Sequence, residues 1–318
     1  MKRVLAISGG IGGAKLALGL QHVLPAQALT VVVNTGDDFE HLGLAISPDV
    51  DTTLYTLGGL ANTELGWGRA AESWNFMAEM ERWGGETWFR LGDKDLALHI
   101  ERTRRLGAGE SPASITEHFA QRLGLATRVL PMTNDRVRTR IGTNEGVLDF
   151  QHYFVRRRCE PVVSGISYDG AAEARPVECV AELQGRDLQA VVICPSNPWL
   201  SIDPILAIPG WRTALQRTQA PVVAVSPLIA GQAVKGPTAK IMRELGLDVT
   251  AMIIAGHYAD VIDGFVLDQA DAHLAAQIDV PVHVTRTLML TFEDKERLAR
   301  EVLDFARSLR PVAVGSGA

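Results

Sequence analysis

The stretch Arg3-Val-Leu-Ala-Ile-Ser-Gly-Gly-Ile-Gly-Gly-Ala-Lys15 decides the fold class. Arg3 to Ile7 is a short β-prone run that stops at glycines, and from Ala14 to Leu24 apolar residues recur at helical spacing, at Leu16, Leu20, Val23 and Leu24. The order is strand, loop, helix. Leu29-Thr-Val-Val-Val33 follows as a second apolar run, the pattern of a strand buried on both faces of a parallel sheet, and it ends in the polar segment Asn34-Thr-Gly-Asp-Asp38. One βαβ unit is complete within about forty residues. Its glycine loop sits where backbone amides and a helix N-terminus converge, so Gly9, Gly10, Gly12, Gly13 and Lys15 are candidates to cradle a phosphate. The spacing fits neither familiar template. Lys15 stands where a dinucleotide fingerprint needs its third glycine, and no Ser or Thr follows it as a P-loop requires.

The chain has 318 residues, 47% hydrophobic and 21% charged, enough for one large core or two smaller ones. A formal charge of -6 gives no broad cationic surface, which argues against nucleic acid or an anionic membrane as partner. Cys159, Cys179 and Cys194 show no paired spacing, so neither a disulfide framework nor a zinc site is expected. The apolar run Val4 to Ile7 is too short for a signal-peptide core, and no later stretch reaches membrane-spanning length. A cytoplasmic location is expected.

Outward from the first unit, residues 56–125 change to amphipathic helices carrying Trp67, Trp74, Trp83 and Trp88. They suggest a helical insertion or cap, leaving 1–55 and 126–318 as a Rossmann-like α/β core. Arg128 to Met132 and Val147 to Val155 read as strands, the second as an edge or hairpin strand. Ala190 to Cys194 and Ala220 to Val225 read as buried strands followed by proline-containing turns, Met252 to Ala255 and Val261 to Leu267 extend the alternation, and Glu293 to Leu309 closes the chain as an amphipathic helix. This order predicts an open, mostly parallel sheet flanked by helices, with functional groups at the carboxyl ends of its strands.

Asp37, Asp38, Asp49 and Asp51 crowd one edge of that expected site, beside Asn34. Carboxylates next to a phosphate loop repel one another and the substrate unless a hard cation such as Mg²⁺ intervenes, and Asp37 and Asp51 are the favoured ligands. Some of the aspartates can equally serve as turn and N-cap residues. Cys194-Pro-Ser-Asn-Pro198 and Ser226 to Pro237 offer Ser196, Asn197, Ser226, Lys235 and Gly236 to a phosphate or nucleotide. Leu91-Gly-Asp-Lys-Asp-Leu-Ala97 opens a helix on which His99 shares a face with Asp95; alone it reads as a capped surface helix. Arg156-Arg157-Arg158 reads as a solvated strand end.

Taken together, Ser8 to Lys15, Val33 to Asp38, Ser47-Pro-Asp-Val-Asp-Thr-Thr-Leu-Tyr-Thr-Leu57, Leu91 to Leu96, Leu130-Pro-Met132, Cys194 to Pro198 and Ala224-Val-Ser-Pro227 through Lys235-Gly-Pro237 resemble the 2-phospho-L-lactate transferases (CofD, FbiA) of coenzyme F420 biosynthesis, nearly end to end. The resemblance implies that the deazaflavin alcohol Fo attacks a guanylylated three-carbon phosphoacid through its terminal hydroxyl and releases GMP with the help of Mg²⁺. It further implies that Asp51 and Lys94 contact Fo, that Asp37 and Asp51 position metal, and that the protein is a homodimer. Lys94 stands where many relatives carry arginine, and Asn134 replaces an aspartate. The phosphoacid, phospholactyl or phosphoenolpyruvyl, stays open. Two other readings fit the sequence less well. A nucleotide-sugar-binding regulator of the YvcK type would carry a glycine- and serine-rich loop where this chain has Asp37 to Gly43, and a NAD-dependent oxidoreductase would carry an acidic residue where Asn34 and Thr35 stand.

Overall fold

The computed structural model describes residues 2–62 and 67–309, so residues 63–66 of the expected insertion and 310–318 of the expected core lie outside it. In chain order the strands are β1 Arg3–Ser8, β2 Leu29–Val33, β3 Phe39–His41, β4 Leu44–Ile46, β5 Arg128–Pro131, β6 Arg138–Thr143, β7 Gly146–Asp149, β8 Val163–Asp169, β9 Leu188–Ile193, β10 Val222–Val225, β11 Leu228–Ile229, β12 Gln232–Ala233, β13 Gly264–Asp268 and β14 Val282–Thr285. The α-helices are α1 Gly10–Val23, α2 Pro48–Leu57, α3 Asn75–Arg82, α4 Asp93–Gly107, α5 Pro112–Arg122, α6 Asp203–Leu206, α7 Trp211–Arg217, α8 Thr238–Glu244, α9 Ala251–His257 and α10 Phe292–Ser308.

Seven of these strands make one sheet in the order β14-β13-β10-β9-β1-β2-β5, parallel throughout. The chain builds outward from β1 through β2 to β5, then returns to lay β9 on the other side of β1 and builds the opposite way. That reversal defines a doubly wound, Rossmann-like sheet, whose crevice opens at the carboxyl ends of β1 and β9. The unbroken apolar runs follow from burial on both faces. Leu5, Ile7, Val32, Val191 and Ile193 pack into one core, and their alternating neighbours Val4, Ala6, Val31, Val33, Ala190 and Val192 pack into a second core under α1, α2, α5 and α10.

Within the expected insertion, α5 contributes Ile115, Phe119 and Ala120 to the main core. The β3–β4 hairpin, α3 and the start of α4 instead gather around a small cluster of Ile46, Met77 and Leu91. A separate antiparallel sheet, β7-β6-β8, leans on the other face.

Three local expectations differ from the structure. Val147 to Val155 is not one strand: β7 lies at a sheet edge, its partner β6 runs out two residues past Asp149, and the chain winds into a π-turn at His152–Arg156 that buries Tyr153. Arg156 therefore ends a helical turn, and Arg157 and Arg158 follow that turn and not a strand. Met252 to Ala255 lies in α9, capped by the Thr250 hydroxyl, with Ala251, Ile254 and Ala255 buried at helical spacing. The strand expected at Val261 to Leu267 is confined to Gly264–Asp268.

One glycine fixes how α10 closes the second core. A Cβ on Gly19 would lie 2.1 Å from the Lys295 carbonyl oxygen, so α1 and α10 meet backbone to backbone. Gly19→Ala should therefore destabilise the protein by about 1–3 kcal/mol through overpacking, despite the better helix propensity of alanine. Gly107→Ala, in α4 with open space around its Cα, should be neutral or stabilising. Thermal denaturation of both variants checks this; a melting temperature for Gly19→Ala at or above wild type contradicts it.

Candidate active site

The glycine loop turns into α1 under tight confinement. A Cβ on Gly12 would lie 2.4 Å from the Pro195 carbonyl oxygen, one on Gly13 would lie 2.4 and 2.6 Å from the hydroxyls of Ser8 and Ser196, and one on Gly9 would lie 2.8 Å from Asp49 Oδ2. Gly10 is left-handed, at φ 64°. Ser196 fastens the loop: its hydroxyl donates to the Gly9 carbonyl (2.8 Å) and accepts from the Gly9 amide (3.2 Å). The loops after β1 and β9 are thereby one unit at the start of α1. Lys15 donates to the Met289 carbonyl (3.0 Å), and burial, then the charges of Lys235 and Lys295, pushes its pKa down.

Asn34, fully buried at the end of β2, ties the next layer together. Its Nδ2 donates to Asp37 Oδ1 (3.2 Å), Asp49 Oδ2 (3.0 Å) and the Leu200 carbonyl (3.3 Å), while its Oδ1 accepts from the Gly36 amide (2.8 Å). Burial, then Asp49 and Asp38, holds the Asp37 carboxyl well above its ordinary range. Burial likewise pushes Asp38 up to about 7 and Asp49 up to about 6. Asp38 Oδ2 accepts from the Ser47 hydroxyl (3.0 Å), whereas its buried Oδ1 has no partner. Asp37, Asp38 and Asp49 are oxygen donors of the kind a hard divalent cation takes, but they do not bring three ligand atoms within 4.8 Å of one another; among the described residues only Asp51, Asp95 and His99 do.

Asp51 faces a different neighbour. It lies in the first turn of α2, and α4 presents Asp95, His99 and Arg102 to it at helical spacing. The Arg102 guanidinium engages both Asp51 oxygens, Oδ2 at 3.0 Å, and also reaches His99 Nδ1 at 3.3 Å. His99 Nε2 lies 3.4 Å from Asp95 Oδ1, which accepts from the Tyr55 hydroxyl at 2.5 Å. Against its burial, His99 and Tyr55 hold the Asp95 carboxyl below its ordinary range. Asp51, Asp95 and His99 bring one ligand atom each within 4.8 Å of one another. A guanidinium already docked on Asp51 supplies the positive charge there. The α4 face read as surface from sequence is interior, with His99 and Arg102 buried.

The remaining candidates are distributed more widely. Asn197 accepts from the amides of Trp199 and Leu200 and donates to the Thr238 hydroxyl (3.0 Å), so it joins the loop after β9 to α8. The Ser226 hydroxyl closes a turn on Leu228. Lys235 and left-handed Gly236 are exposed on the loop between β12 and α8. Lys94 is exposed, and its ammonium donates to the Ala71 carbonyl (2.6 Å), off the α4 face that meets Asp51. Sequence reasoning passed over Arg102. The signal was present, since Asp95, His99 and Arg102 stand at i, i+4 and i+7. Ser201, which packs against Gly9, and Arg138, whose charge acts on Asp38 and Asp37, carried no such signal.

Two outcomes follow. The raised carboxyl values mean that the folded state binds more protons than the unfolded chain between about pH 4 and pH 7. The contribution of the cluster is therefore favourable below the unfolded value and is lost as pH rises through about 6 to 7. Without divalent cations the melting temperature should fall from about pH 5 to about pH 8, Asp38→Asn should flatten the fall, and Mg²⁺, which binds the ionised form, should oppose it. A slope unchanged in Asp38→Asn contradicts this. Separately, Arg102→Met strands a buried carboxylate and should cost about 3–5 kcal/mol in chemical denaturation, much of it recovered in the double variant with Asp51→Asn. A single-variant loss below about 1 kcal/mol would mean that the pair acts as an exposed one.

Comparison with known proteins places the chain in a family. Residues 4–304 match the family described as 2-phospho-L-lactate transferase CofD. A phosphoenolpyruvate transferase of Kitasatospora aureofaciens is 40% identical over 318 residues, covering 97% of this chain and 99% of its own. A 2-phospho-L-lactate transferase of Methanocaldococcus jannaschii is 37% identical over 311 residues, covering 96% and 99%. The fold is shared with a crystal structure of a UPF0052 family member from Bacillus halodurans, at a TM-score of 0.62 and 14% identity over 95% of this chain and 98% of that one. Among the described residues no helix is long and apolar enough to cross a membrane. A chain matched end to end by named transferases, and carrying a glycine loop with carboxylates beside it, belongs to the CofD family of 2-phospho-L-lactate transferases.

Proposed function

We propose that this protein transfers a phospho-three-carbon-acid moiety, phospholactyl or phosphoenolpyruvyl, from a guanylylated donor to the terminal hydroxyl of the deazaflavin Fo in coenzyme F420 biosynthesis. The observation that carries the proposal is the carboxylates beside the phosphate-type loop: Asn34 holds Asp37 and Asp49, Asp49 lies against Gly9, and Ser47 holds Asp38. The hydroxyl oxygen forms a bond to the phosphorus of the acid, the anhydride bond to the guanylyl phosphate breaks, GMP leaves, and the hydroxyl proton is lost. Such a step needs charge neutralisation and in-line placement more than a covalent nucleophile.

In this reading the loop of Gly9, Gly10, Gly12 and Gly13, with Lys15, holds the donor phosphates, and Ser196 keeps it rigid. Asn197, Ser226, Lys235 and Gly236 border the donor from the far loops. Asp37, with Asp49 and Asp38 beside it, would hold Mg²⁺, which when bound neutralises the anhydride oxygens. Asp51 orients the attacking hydroxyl while Arg102 fixes its direction. Lys94, at the other side of α4, would contact Fo from the solvent side. A homodimer in the cytoplasm is the expected assembly and setting.

The test is incubation of the purified protein with Fo, Mg²⁺ and guanylylated phospholactate or phosphoenolpyruvate, followed by mass spectrometry for the phosphodiester product. Product with at least one donor is expected, and Asp51→Ala should lower turnover by about two orders of magnitude or more with the fold retained. Nucleotide binding without product from either donor would favour a regulator and remove the transferase proposal.

A further inference from the structure

Arg138 begins β6, a strand outside the main sheet that is pinned to the aspartate loop. The Thr139 amide donates to the Gly36 carbonyl at 2.7 Å, and a Cβ on Gly36 would lie 2.6 Å from Thr139 Oγ1. The Arg138 side chain is half-buried, and its Nη1 donates to the Val137 carbonyl at 2.7 Å. Of the guanidiniums around it, Arg136 is exposed and has no carboxylate partner among the described residues, whereas two others are committed. Arg140 is paired with Asp149 and Asp169, and Arg102 with Asp51. Among the described residues no carboxylate lies within 4.0 Å of the Arg138 guanidinium. Its charge nonetheless reaches the site: burial, with the like charges of Arg136 and Arg140, pushes Arg138 down, Asp38 and Asp37 oppose that, and Arg138 in turn opposes the upward shift of both aspartates.

We propose that Arg138 is the specificity-determining residue that receives the carboxylate of the transferred three-carbon acid. This rests on the transferase reading above. The phosphates of such a donor are met by the glycine loop and a divalent cation, but its acid end carries one further negative charge. Beside Asp37, Asp38 and Asp49 that charge is repelled unless it finds its own cation. A planar guanidinium accepts a carboxylate through two parallel hydrogen bonds, and half-burial strengthens the pair relative to an exposed one. Arg138 combines a forked donor, proximity to the cluster and no committed carboxylate.

The experiment compares the guanylylated phosphoacid with its carboxamide analogue, a donor of the same shape whose acid end is uncharged, at saturating Fo and Mg²⁺. Wild type should prefer the acid in kcat/KM by on the order of a hundredfold. Arg138→Gln should bring that ratio to near unity with the KM for Fo unchanged, and Arg138→Lys should lie between. The ratio does not depend on how much of a variant is folded. An unchanged ratio in Arg138→Gln overturns the proposal. Equal loss on both donors also overturns it, since Arg138 is then only a counter-ion for the aspartates. If wild type transfers from neither donor, the transferase reading itself has failed.

Discussion

The approach of the Gly9–Gly13 backbone to the loop after β9 is the constraint on which the rest of the site depends. Where strand order reverses, β1 and β9 lie side by side and their carboxyl ends must be joined without filling the crevice between them. Ser196 joins them with two hydrogen bonds to Gly9, and the glycines leave no side chain to hold the loops apart. The same compactness brings Asp49 against Gly9 and lets Asn34 reach Leu200. Phosphate-type amides and carboxylates thus come together through backbone packing.

That convergence has an electrostatic cost. Three carboxyl groups out of water cannot all ionise without a counter-charge, and their raised values express this. The fold answers locally. Asn34 donates to two of the carboxylates, Ser47 to the third, and Arg102 and Arg138 add positive charge from either side. Asp51 is treated differently: with Arg102 on both oxygens it is held as an oriented carboxylate. Asp51 and Asp37, expected from sequence to share one role, thus sit in distinct surroundings.

The first βαβ unit was legible because burial on both faces leaves an unbroken apolar run, and Val4 to Ile7 and Leu29 to Val33 show it without tertiary information. The glycine loop was legible for a similar reason, since backbone proximity demands a residue type that sequence displays directly. Short apolar runs were less informative. Met252 to Ala255 suits a strand as well as a helix, and only the Thr250 cap and the one-sided burial of α9 decide it. Arg102 and Arg138 were hidden for a deeper reason. Their significance depends on which way α4 rotates toward α2 and on β6 docking at Gly36, contacts made between residues 51 and 102 and between 36 and 139.

Both arginines come from elements outside the seven-stranded sheet, Arg102 from α4 and Arg138 from the antiparallel sheet. The sheet alone would present amides and unneutralised aspartates at its crevice, a combination that attracts an anion at one end and repels it at the other. Shared architecture at 14% identity therefore says little about chemistry. What such a crevice accepts is set by the charges that peripheral elements bring to it. Here those elements fix one carboxylate with a buried guanidinium and leave a second guanidinium, half-buried and unclaimed by any described carboxylate, at the far side of the cluster. A donor with a phosphate at one end and an acid at the other matches that polarity along its whole length.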